Sequence, residues 1–230
     1  MKTIGLLGGM SWESTVSYYR AVNEGVKARL GGWHSARIVM HSVDFQEIET
    51  LQRREEWDRM AALLGDAAQG IEAGGADFLV ICTNTMHNVA PQIEEKISIP
   101  LLHIADATAE KVRAEGYRTV GLLGTNFTMA QDFYKGRLLE RYGIKSVVPD
   151  QNDREIVHRV IFDELCLGKI RENSRREYQR IISGLAEQGA EAVVLGCTEI
   201  ALLIQQVHTT VPLLDTARIH AEKAVEWALV

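Results

Sequence analysis

Ala190-Glu191-Ala192-Val193-Val194-Leu195-Gly196-Cys197-Thr198-Glu199-Ile200 decides how this chain folds. Its apolar run is too short for a helix and ends in glycine, cysteine and threonine. An apolar-periodic segment then begins at once. That pattern reads as a buried strand, a tight turn and a helix start, with one thiol at the turn. Ala76-Asp77-Phe78-Leu79-Val80-Ile81-Cys82-Thr83-Asn84-Thr85 has the same form and also ends in a polar turn.

Working outward, Val120-Gly121-Leu122-Leu123-Gly124-Thr125 repeats Ile4-Gly5-Leu6-Leu7-Gly8-Gly9, and Val211-Pro212-Leu213-Leu214 repeats Ile99-Pro100-Leu101-Leu102. With the two thiol-bearing runs, these landmarks stand in the same order at offsets of 116, 114 and 112 residues. Three landmarks drifting by two residues each indicate a duplication. Each half reads β-α-β-α-β-α-β. The expected fold is therefore α/β, with two pseudo-symmetric lobes, each a four-stranded parallel sheet covered by helices. Among the helices, one is expected from about Trp12, with Val16, Tyr19, Val22, Val26 and Leu30 at helical spacing. A single helical stretch is expected from about Glu47, carrying Trp57, Met60, Leu64, Ala67 and Ile71 on one face.

An apolar content of 46% over 230 residues supports a substantial core. No apolar run approaches the ~18 residues of a membrane span, and glycine interrupts the N-terminal run before a signal-peptide core forms. A net charge of −6 with no basic cluster argues against a nucleic-acid partner. Three cysteines without a CxxC pair suit a reducing cytosol. The seven histidines lack metal-ligand spacing, so no metal is expected. The Gly5–Gly9 run is neither G-x-G-x-x-G nor a P-loop, which disfavours nucleotides.

Ligands of doubly wound sheets sit beyond the carboxyl ends of the strands. That draws attention to Gly8–Ser11, Asp44–Gln52, Thr83–His87, Gly124–Thr128 and Cys197–Glu199. At offset 114, Cys197 aligns with Thr83, and Cys82 falls opposite Gly196. Neighbouring strand residues point to opposite faces, so alternation favours Thr83 as the residue facing the site and Cys82 as packing; a local irregularity would reverse this. Cys197 just ahead of a helix N-terminus is expected to have a lowered thiol pKa. Met10, Ser11, Asn84, Thr85, Thr125 and Thr198, with glycine-freed backbone N–H groups, suit a small carboxylate held without lysine clamps. Gln52 adds a further candidate partner. Arg53 and Arg54 could supply a carboxylate partner as well, although an exposed helix face suits them at least equally; Cys166 fits helix packing, and His87, His103 and His220 fit structural roles better than the tuning of a thiol.

Gly8-Gly9-Met10-Ser11, Cys82-Thr83-Asn84-Thr85-Met86-His87 and Gly196-Cys197-Thr198-Glu199-Ile200 together resemble the aspartate/glutamate racemase superfamily, nearest to its broad-specificity or L-aspartate/glutamate-specific enterobacterial racemases. The resemblance runs the length of the chain, and Gly-Cys-Thr-Glu is its most specific part. It implies two flavodoxin-like lobes, 1–104 with 217–230 and 105–216, the last helix returning to the first lobe. It further implies no cofactor, and one residue from each lobe moving the proton of the substrate α-carbon. The family's first motif reads Cys-Asn-Thr-Ala/Met-His, so its cysteine falls on Thr83. The lysine that many relatives carry near Glu164–Gly168 is absent. By analogy a homodimer is expected.

On this reading, Cys197 is the thiol acid/base and Thr83, or a water it holds, serves the opposite face of an aspartate or glutamate substrate. The alternatives are a single-cysteine relative, such as a maleate isomerase or decarboxylase type, and a non-catalytic binder of small carboxylates.

Overall fold

Thr3-Ile4-Gly5-Leu6-Leu7-Gly8 and Thr119-Val120-Gly121-Leu122-Leu123-Gly124 each form an inner strand, half-buried at the threonine and buried at the next five residues. The structure, a computed structural model, describes residues 1–230. The elements of the first half are β1 (Thr3–Gly8), α1 (Trp12–Leu30), β2 (Arg37–Ser42), α2 (Phe45–Arg53), α3 (Trp57–Ala73), β3 (Phe78–Ile81), α4 (Ala90–Glu94) and β4 (Leu101–Leu102). A 3-10 turn, Thr85–Val89, precedes α4. After α5 (Ile104–Ala114) come β5 (Thr119–Gly124), α6 (Asn126–Ala130), α7 (Asp132–Tyr142), β6 (Lys145–Val147) and α8 (Gln151–Asp163). The chain ends through α9 (Glu172–Glu187), β7 (Ala192–Gly196), α10 (Ile200–Leu203), β8 (Leu213–Asp215) and α11 (Thr216–Leu229).

The strands form two four-stranded sheets, ordered β2-β1-β3-β4 and β6-β5-β7-β8, with every neighbouring pair parallel. Helices cover both sheets, which is why β3 and β7 read as unbroken apolar runs and are buried along their whole length. The chain divides into two compact units. One comprises Met1–Ile104 with His220–Val230, and the other Ala105–Ile219. In the first, Leu7, Leu64, Ile71, Leu79 and Ile81 lie in one cluster. In the second, Leu123, Ile161, Ile182, Val193 and Leu195 do the same. Each such side chain contributes about 1.5–3 kcal/mol through burial. No helix is long and apolar enough to cross a membrane.

Two helices depart from the sequence reading. On α1 the buried face is Ser14, Thr15, Tyr18, Val22 and Val26, whereas Val16, Tyr19 and Leu30 are exposed. The first turn of α1 faces the β1 turn, where small hydroxyls are needed to satisfy backbone groups, and this rotates the buried stripe. The stretch from Glu47 is two helices, because the chain turns between Arg53 and Trp57 with Glu55 at φ 55°.

Candidate active site

The two ladders set corresponding positions. Leu7 pairs with Ile81, and one step further the Cys82 N–H donates to the Leu7 carbonyl at 2.9 Å. In the second sheet Leu123 pairs with Leu195 and Gly124 with Gly196. Cys82 thus occupies the place of Gly196, and Thr83 that of Cys197. A Cβ on Gly196 would lie 2.8 Å from the Leu123 carbonyl. Cys82 fits its own place by turning inward: it is 0% exposed, its Sγ lies 3.9 Å from the Val80 carbonyl, and burial alone pushes its thiol pKa far up. Thr83 retains 8% exposure.

In the first unit the β1 turn is built around Gly9, at φ 91°, where a Cβ would lie 2.2 Å from the Val43 carbonyl. The Gly9 N–H donates to Thr15 Oγ1 at 2.8 Å, and that hydroxyl donates to the Ser11 carbonyl at 2.9 Å. Ser11 caps α1, accepting from the Ser14 N–H at 3.4 Å. Met10 packs into the core beside this turn. Asn84 and Thr85 are buried in the turn after β3. His87 braces that turn. The Ile104 N–H donates to His87 Nε2 at 3.2 Å, so the ring proton sits on Nδ1 and donates to the Thr83 carbonyl at 2.8 Å. The rings of His103 and His220 lie tilted and edge-on to that of His87, at ring-centroid distances of 4.5 and 5.8 Å. Gln52, in the last turn of α2, is only 3% exposed, and its Nε2 makes no hydrogen bond. A buried amide donor left open in this way suits a ligand carboxylate. Arg53 and Arg54 pair at the surface with Glu49 and Glu56.

In the second unit Thr125 caps α6, accepting from the Thr128 N–H at 3.3 Å. Cys197 and Thr198 follow β7 directly. The structure corrects the expectation of a lowered Cys197 pKa. The helix after it, α10, is a single four-residue turn with Glu199 at its N-cap. Cys197 Sγ donates to Glu199 Oε2 at 3.0 Å, and Thr198 Oγ1 donates to the same oxygen at 2.9 Å. Burial, then the Glu199 carboxylate, then Cys166 push the thiol well above its ordinary value. The Thr198 hydroxyl therefore serves Glu199.

The contact of Glu199 with the thiol was not read from sequence; the available signal was a carboxylate two residues beyond a turn thiol. His87 takes the structural role expected of it, and its four-residue spacing from Thr83 is closed by one helical turn.

Two parallel four-stranded sheets of identical order, each ending in a glycine-shaped turn beside a buried thiol or hydroxyl, define the class. The chain belongs to the Asp/Glu/Hydantoin racemase family, whose profile matches residues 7–224. It is 53% identical to a candidate Asp/Glu racemase from Yersinia pestis, with a TM-score of 0.92 over 100% of both chains. An aspartate racemase homologue from Pyrococcus horikoshii, PH1733, is 35% identical at a TM-score of 0.86, again over 100% of both. The broad specificity amino-acid racemase RacX of Bacillus subtilis is 22% identical over 237 residues, covering 96% of each chain. The relatives of this chain are thus isomerases acting on amino acids.

Proposed function

We propose that the protein racemises aspartate or glutamate by moving the α-proton, without a cofactor, with Cys197 as the thiol acid/base. Cys197 thiolate removes the α-proton. Backbone N–H groups of the Asn84-Thr85, Thr125 and Thr198 turns, with the Thr85 and Thr125 hydroxyls, stabilise the negative charge that grows on the α-carboxylate, and Met10, Ser11 and Gln52 complete the contacts with the substrate. Thr83, or a water it holds, returns a proton to the opposite face. The observation that carries this reading is the ladder correspondence of Thr83 with Cys197, one step beyond Cys82 and Gly196.

A neutral hydroxyl is a poor base, so inversion is expected to be slow, and equally so in both directions because enantiomers have equal free energy. Chiral chromatography of L- and D-aspartate and L- and D-glutamate after incubation with the enzyme tests this. Appearance of the opposite enantiomer is expected; no change in any of the four would contradict it. The open Gln52 amide favours a carboxylate ligand on any reading, so a binder of small carboxylates stands as the second reading. An inert Cys197 combined with tight dicarboxylate binding would select it.

A further inference from the structure

We infer that Glu199 is the proton acceptor of Cys197, so that the reactive thiolate forms inside the protein and not by loss of a proton to solvent. This rests on the reading of Cys197 as the proton-transferring thiol. Cys197 Sγ and Thr198 Oγ1 both donate to Glu199 Oε2, at 3.0 and 2.9 Å, and all three residues are buried. The Thr198 hydroxyl holds that oxygen on the sulfur.

The charge around the thiol makes the same point. Besides Glu199 on its own turn, ionisable groups that act with Cys197 include Cys166, on the 3-10 turn Leu165–Leu167, and Tyr178 of α9; Glu164 acts on Tyr178 in turn. Each of these is an acid, whose ionised form opposes a negative charge on the sulfur. A thiolate made by losing its proton to water would face a carboxylate at hydrogen-bond distance with both charges desolvated, which buried sites strongly disfavour. Passing the proton to Glu199 leaves one negative charge on the pair before and after.

The step balances. The S–H bond breaks and an O–H bond forms on Glu199 Oε2, leaving the electron pair on sulfur. That pair takes the substrate α-proton: the C–H bond breaks, an S–H bond forms, and the C–H electrons pass into the α-carboxylate. The neutral Glu199 acid holds its proton meanwhile. The pair then releases its extra proton to solvent, matching the one solvent supplies at the opposite face.

While the pair holds one proton, the thiolate fraction is independent of pH. The test is alkylation of Cys197 by iodoacetamide, read by mass spectrometry of the Cys197 peptide with no amino acid present. Between roughly pH 6 and 8 the wild-type rate is expected to change less than about two-fold. In Glu199→Gln the proton must leave for solvent, so the rate is expected to rise about tenfold per pH unit. A tenfold-per-unit rise in the wild type, or a flat profile in Glu199→Gln, would overturn the inference. Should the variant not fold, the wild-type profile decides alone. Absent racemisation with a flat wild-type profile would sink the proposed reaction and leave the pair standing; racemisation with a sloping wild-type profile would do the reverse.

Discussion

Acidification should destabilise this protein in part through His220. Its ring is wholly buried on α11, with the Tyr18 hydroxyl donating to Nδ1 at 2.9 Å and Nε2 donating to the Leu102 carbonyl at 2.8 Å. A proton added at Nδ1 displaces the Tyr18 hydrogen bond and charges a buried ring beside His87. Burial accordingly pushes the His220 pKa down from 6.5 to about 4. A folded pKa below the unfolded one means the unfolded chain binds the proton first. The contribution is therefore complete above pH 6.5 and lost as pH falls from 6.5 toward 4. Linkage makes the loss about 0.8 kcal/mol at pH 6, about 2 kcal/mol at pH 5 and about 3.4 kcal/mol below both pKa values. The assay is urea unfolding at pH 7.5, 6 and 5 for wild type and His220→Gln. Glutamine can keep a donor to Leu102 and an acceptor for Tyr18 but cannot titrate. Other groups titrate in both proteins and cancel in the difference. The gap between them should shift by about 2 kcal/mol between pH 7.5 and 5. A gap constant with pH would refute the reasoning.

Two further variants probe the turns. Cys197→Ala should lower α-proton exchange by about 10²-fold or more, while Cys82→Ala, which removes a buried thiol packed under β3, should leave it within about threefold; exchange measured by NMR on both variants checks this. If Cys82→Ala abolished exchange and Thr83→Ala left it untouched, the register assignment would be wrong. Gly9→Ala places a methyl into the Val43 backbone at positive φ and should cost more than about 2 kcal/mol in urea unfolding, since backbone cannot yield as a side chain can.

The sheets were legible because parallel strands covered on both faces must be apolar throughout, and β1, β3, β5 and β7 are. The duplication was legible because glycines recur where side chains cannot fit, as at Gly5 against the Phe78 carbonyl and at Gly124 against the Gly196 carbonyl. The break between α2 and α3 was not, since no glycine or proline marks it and the positive φ falls on Glu55. The face of α1 was misread at Val16 and Tyr19, because its buried side begins with Ser14 and Thr15, hydroxyls a hydrophobic count ignores. At the candidate site, the thiol and its threonine counterpart could be found by register alone. The environment of the thiol could not: its pKa depends on which way Glu199 turns, and in a one-turn helix no periodicity fixes that direction.

The central claim is that Cys197 moves the α-proton of an acidic amino acid. Each enantiomer of aspartate and glutamate would be incubated in D₂O with wild-type protein and with Cys197→Ala, and the α-proton signal followed by NMR. The account predicts that wild type replaces the α-proton of one enantiomer of its substrate with deuterium faster than it inverts it, and that Cys197→Ala does neither. Loss of the signal at equal rates in the two proteins, or no loss from any of the four amino acids with wild type, would contradict it.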